Sequence, residues 1–70
     1  MKSEHVTFTV DGVPDEAFAA AISEALTRLN GVVEVFVDAG SRRVAVEFDA
    51  ERMEAGVLRG TIEDLGCRVR

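Results

Sequence analysis

Between Val10 and Phe18 the spacing of apolar residues changes from every second position to every third or fourth, and the chain reverses or repeats this change at each later joint between a strand and a helix. Val6, Phe8 and Val10 alternate with His5, Thr7 and Thr9 from Glu4 to Val10, the period of a half-buried strand. Phe18, Ile22, Ala25, Leu26 and Leu29 then form one stripe of an amphipathic helix in an alanine-rich frame. Asn30-Gly31 is expected to end it, glycine being the residue that best takes a left-handed C-terminal position. From Val32 to Asp38, Val33, Val35 and Val37 alternate with Glu34 and Phe36. Ala39-Gly40-Ser41-Arg42 reads as a hairpin connection, after which Val44, Val46 and Phe48 alternate with Ala45 and Glu47. Asp49 reads as the start signal of a second helix whose stripe is Ala55, Leu58, Ile62 and Leu65, stopped by Gly66. Gly56 and Gly60 lie inside that helix, each costing about 1 kcal/mol relative to alanine, and are expected to allow close packing on the sheet. Cys67 to Arg70 completes the pattern as a short last strand.

Strand, helix, strand, strand, helix, strand packs as an α+β domain, a ferredoxin-like βαββαβ fold with a four-stranded antiparallel sheet and both helices on one face. In the usual order, strand one lies between strands three and four. Cys67 then starts the last strand beside the end of strand one, as a neighbour of Asp15. His5 falls at the other end of strand one, about 17 Å away, and is assigned no role.

Seventy residues make a single domain, 1–70, whose core by itself supplies roughly 3–5 kcal/mol. With 13 acidic against 8 basic residues, net −5, the chain repels phosphate backbones, so nucleic acid is excluded as a partner. Charges interrupt every apolar stretch and the first residues lack an apolar leader, so the expectation is a cytoplasmic protein with no membrane partner. One cysteine, Cys67, and one histidine allow neither an internal disulfide nor a four-ligand zinc site.

The joint from Asp11 to Ile22 is where function is expected, because a strand-to-helix turn presents backbone donors and a helix N-terminus. Asp15 and Glu16 compete there with any anionic ligand, and Gly12 stands alone, so a phosphate cradle is excluded. Adjacent carboxylates on a helix diverge by about 100 degrees, and neither has a partner base, so paired-acid hydrolysis gives way to complementing the helix dipole. Arg42, Arg43, Arg68 and Arg70 read as solvated surface charges, and Phe36 as an apolar spot, with Ala45 as its cross-strand neighbour, on the sheet face that no helix covers.

From about His5 to Val69 the sequence resembles the heavy-metal-associated domain of copper chaperones, copper-transporting ATPases and mercury-binding relatives. The resemblance runs through Val10-x-Gly12, Ala19-x-x-Ile22, Leu26-x-x-Leu29-x-Gly31-Val32-x-x-Val35-x-Val37-Asp38, Val44-x-Val46-x-Phe48-Asp49 and Ile62-Glu63-Asp64-x-Gly66. It implies the same fold and a cargo site at Gly-Met-x-Cys-x-x-Cys, where two thiolates hold a soft ion such as Cu(I). Here Val13 stands at the methionine, Asp15 at the first cysteine and Phe18 at the second. A hard carboxylate and a ring do not replace two soft thiolates, so neither metal nor cofactor is expected.

Cys67 occupies the position of an aromatic that packs beside the metal loop in the family. With Asp15 it makes a weak mixed site whose carboxylate raises the thiol pKa, and across a weak homodimer two copies could coordinate Cu(I) linearly. As the simpler alternative, Cys67 is a small semi-buried apolar residue. The leading expectation is a non-enzymatic interaction module, monomer or weak homodimer, possessing the family's docking end: Gly12, Val13, Pro14, Asp15, Glu16, Asp64 and Cys67, facing a basic protein partner. A copper carrier working through Cys67 is the second, and a small regulatory or acylphosphatase-like ferredoxin-like domain the third. The last wants an arginine and free amides in a first loop that is acidic.

Overall fold

A computed structural model describes residues 2–11 and 15–70 of the chain. Its elements are β1 (Ser3–Asp11), α1 (Glu16–Thr27), β2 (Val32–Asp38), β3 (Arg43–Asp49), α2 (Ala55–Asp64) and β4 (Arg68–Val69). The strands pair antiparallel in the order β2-β3-β1-β4, the ferredoxin-like arrangement, with β1 between β3 and β4. Phe8, Val10, Val44, Val46, Phe48 and Val69 project from one face of the sheet and meet Ile22 and Leu26 of α1 and Leu58 and Ile62 of α2 in one core. Those four helical side chains are fully buried, and each contributes about 1.5–3 kcal/mol by leaving water. The other face is left to Thr7, Thr9, Phe36 and their neighbours. Phe36 stands opposite Ala45 and is 66% exposed.

Strict alternation fails in β2. The register slips between Val32 and Glu34, so Val32 stands opposite Phe48 and Glu34 opposite Glu47, leaving Val33 as the extra residue of a bulge. Val32, Val35 and Val37 pack on the core, whereas Val33, expected to face inward, is 49% exposed.

The helix ends also correct the sequence pattern. α1 stops at Thr27 with Arg28 as its C-cap, short of Asn30-Gly31. Gly31, at φ +99°, instead shapes the turn into β2, where a Cβ would stand 3.0 Å from the Arg52 Cβ. Asp49 starts no helix. It ends β3 and organises a turn: its carbonyl accepts from Arg52 and Met53 N–H, both at 2.9 Å, and its carboxylate from Lys2 N–H (3.2 Å) and Glu51 N–H (3.0 Å). α2 begins only at Ala55, and Glu54 in front of it makes no side-chain cap. Gly66, at φ +98°, does follow the α2 C-cap, as expected. Gly56 and Gly60 do not buy close packing: a Cβ at either would meet nothing within 4 Å. The last strand itself is Arg68–Val69, with Cys67 preceding it and the Arg70 N–H donating to the Thr9 carbonyl of β1 at 2.8 Å.

Candidate functional site

Because β1 and β2 run opposite to β3 and β4, the β1–α1 connection, the β2–β3 hairpin and the start of β4 all lie at one end of the molecule. Gly12, Val13 and Pro14 fall outside the described residues. Asp15 has extended backbone angles (φ −159°, ψ 179°) and is the N-cap of α1. Its Oδ1 accepts the Phe18 N–H at 2.9 Å, and its carbonyl accepts the Ala19 N–H at 3.1 Å. Glu16 is exposed as the first helical residue, adding a negative charge where the helix dipole is positive. Phe18 is half-buried against the core, and Asp64, the last residue of α2, is exposed at the same end.

Cys67 lies where the topology places it, next to the Arg68–Asp11 pair, but only 4% of it is exposed and it belongs to the core. Burial pushes its thiol pKa up, so the cause is desolvation rather than the Asp15 carboxylate invoked from sequence. A protonated, enclosed thiol is a poor soft-metal ligand. Both positions corresponding to the family's ligands are likewise engaged elsewhere, Asp15 in capping and Phe18 in packing. These residues do not fit a soft-ion site.

The arginines at this end are more than scattered surface charge. Asp11, at the end of β1, receives Arg70 Nε on Oδ2 at 3.1 Å. Its Oδ1 is shut from solvent and, among the described residues, receives no hydrogen bond, with Arg70 Nη2 at 3.0 Å and Arg42 Nη1 at 3.6 Å. Arg68 is its partner across the ladder. The hydrogen bond from Arg70, outweighing partial desolvation, and the surrounding guanidinium charges hold the Asp11 carboxyl below its ordinary pKa. Arg42 reaches this position from a left-handed backbone, φ 58°, at the end of the hairpin. Sequence reasoning passed over Asp11. The available clue was that one acid closes β1 where arginines enter from two other segments, the hairpin and the C-terminal strand, but only the strand register brings them together.

At the far end of β1, exposed His5 has its Nε2 3.6 Å from Glu47 Oε1, and the Ser3 hydroxyl donates to the same carboxylate. Among the described residues, no group of three His, Cys, Asp or Glu side chains is placed to hold a metal ion.

Six elements in this order, with the end of β1 beside the start of β4, define the class of small βαββαβ domains that the sequence resembles. Residues 7–67 match the model of the heavy-metal-associated domain, and the chain belongs to that family. It is 33% identical over 61 residues to the copper chaperone CopZ of Staphylococcus haemolyticus, an alignment covering 87% of this chain and 90% of the chaperone. It superposes on the N-terminal soluble domains of Bacillus subtilis CopA with a TM-score of 0.92 at 26% identity, covering 97% of this chain and 46% of the chain that holds those domains. Oxidized MerP from Ralstonia metallidurans gives 0.86 at 26% identity, with 97% of each chain covered. The paired-cysteine motif is absent from this member, whose one cysteine is Cys67.

Proposed function

We propose that this chain is a non-enzymatic interaction module of metal homeostasis: a heavy-metal-associated domain that docks on a protein partner without itself carrying a soft ion. The observation that supports it is the employment of the two substituted ligand positions. Asp15 spends its carboxylate oxygen on the first turn of α1, and Phe18 packs its ring on the core. Neither is poised to receive Cu(I), a cargo that wants two converging thiolates. What the end of the molecule still offers is charge. Glu16 and Asp64 are exposed at the same end of the molecule as Asp15, suiting a basic partner.

Competition for Cu(I) against a soluble chelator tests the first half. The wild-type protein is expected to leave the chelator's copper in place, whereas Asp15→Cys with Phe18→Cys restores competition. Wild-type competition that disappears in Cys67→Ser would sink the proposal in favour of a Cys67 carrier. For the docking half, Glu16→Lys with Asp64→Lys changes two exposed side chains and is expected to abolish retention of the partner that the wild-type protein retains from a cell lysate. Unchanged retention by the double variant removes this end from the interface.

A further inference from the structure

We infer that the free edge of β2 is a strand-addition site for an extended, basic segment of a partner protein, a surface beyond the Asp15–Asp64 end. β2 is the outermost strand on its side of the sheet. The phase of the ladder decides which of its backbone groups are free. The Val10 N–H donates to the Arg42 carbonyl at 2.8 Å, so Thr9 and Arg43 face each other without exchanging hydrogen bonds. Along β3, Val44 and Val46 therefore turn their backbone groups towards β1, while Arg43, Ala45 and Glu47 turn theirs towards Asp38, Phe36 and Glu34. Val35 and Val37 are left with N–H and C=O directed away from the sheet, two donors and two acceptors at the spacing that an added strand uses.

A place for the added strand exists. Val35 and Val37 form one wall of a groove of about 520 Å³ whose other wall is α1, with Ala20 and Ser23, closed at the hairpin end by Glu16 and Asp38. Alanine at exposed position 20 keeps the groove open where a longer surface side chain would fill it. The lining includes two carboxylates and no basic residue. Arg42 is directed to Asp11 instead. That charge selects the occupant. A second copy of this chain would bring the same acidic edge and a net charge of −5, which disfavours edge-to-edge self-pairing. In an added strand a lysine or arginine reaches Glu16 from the side that faces α1, or Asp38 from the side that faces away from it, and the apolar residues meet Ala20 and Phe36.

Glu16 borders both surfaces, whereas Asp15 and Asp64 take no part in this one; Asp64→Lys alone tests the proposed docking end and Ala20→Arg alone tests this edge, so either can fail while the other stands. The probe is a short peptide alternating valine with lysine, titrated into isotopically labelled protein while amide exchange is followed. Slowed exchange at Val35 and Val37 is expected, with binding weakened at least about tenfold, or 1.4 kcal/mol, by Ala20→Arg, which fills the groove from an exposed position. Methylation of alternate peptide nitrogens, in the phase that faces β2, is expected to abolish the effect. Equal binding of a valine–glutamate peptide, protection at Ser3 to Thr7 instead, indifference to Ala20→Arg, or no slowing at about 1 mM peptide each overturns the assignment.

Discussion

Asp15, standing at the position of the motif's first cysteine, serves as a structural residue. From sequence it belongs inside the first turn of the helix as a complement to the dipole. The backbone places it one position earlier, as the cap itself, accepting the Phe18 N–H. Replacing it by alanine removes that acceptor and is expected to cost about 1 kcal/mol of stability in urea unfolding, with Asp15→Asn close to wild type because an amide oxygen caps as well. A variant as stable as wild type would mean that the cap contributes nothing here. Phe18 was legible because it falls on the apolar stripe of α1, and Cys67 as a small core residue because the pattern puts an apolar side chain there. The Asp11 cluster was not, since Arg42 in the hairpin and Arg68 and Arg70 at the C-terminal strand lie far from Asp11 along the chain.

The elements differ in how well their own residues support them. α1 has a side-chain cap and alanines. α2 has an uncapped start and two internal glycines, neither demanded by packing. Gly56→Ala and Gly60→Ala are each expected to stabilise the protein by about 0.4–1 kcal/mol, chiefly by restricting the unfolded chain. Gly31→Ala goes the other way. At φ +99°, with a Cβ 3.0 Å from that of Arg52, alanine is strained and crowded, and a loss of more than about 1 kcal/mol is expected. Opposite shifts of the urea midpoint between these variants check both statements. The bulge at Val33 and the late start of α2 were illegible for a shared reason: valines at both 32 and 33 satisfy the strand period, and aspartate at 49 satisfies both a turn and a cap.

Over the whole molecule, two ionised aspartates hold the sheet at opposite ends. Asp11 gathers the arginines beside the β1–α1 connection, and buried Asp49 ties Lys2 and Glu51 at the other. Both carboxyls are held below their ordinary pKa, Asp11 first by the Arg70 hydrogen bond and Asp49 first by the Glu51 N–H. A depressed native pKa gives stability that is fully present above the unfolded value, near pH 4, and is lost as pH falls through the native one. The urea midpoint is therefore expected to be flat from neutral pH to about pH 5 and to fall below about pH 4, with a shallower fall in Asp11→Asn. A midpoint that rises on acidification would remove this linkage. Periodicity by itself determined the number, kind and order of the elements and hence the ferredoxin-like sheet, because burying one face of each strand and one stripe of each helix leaves few ways to pack. It also revealed the missing thiols, since the motif is local. Tertiary structure alone decided what fills their place and which edge stays open: capping geometry, strand register and the phase of a hydrogen-bond ladder depend on residues that meet only after the chain has folded.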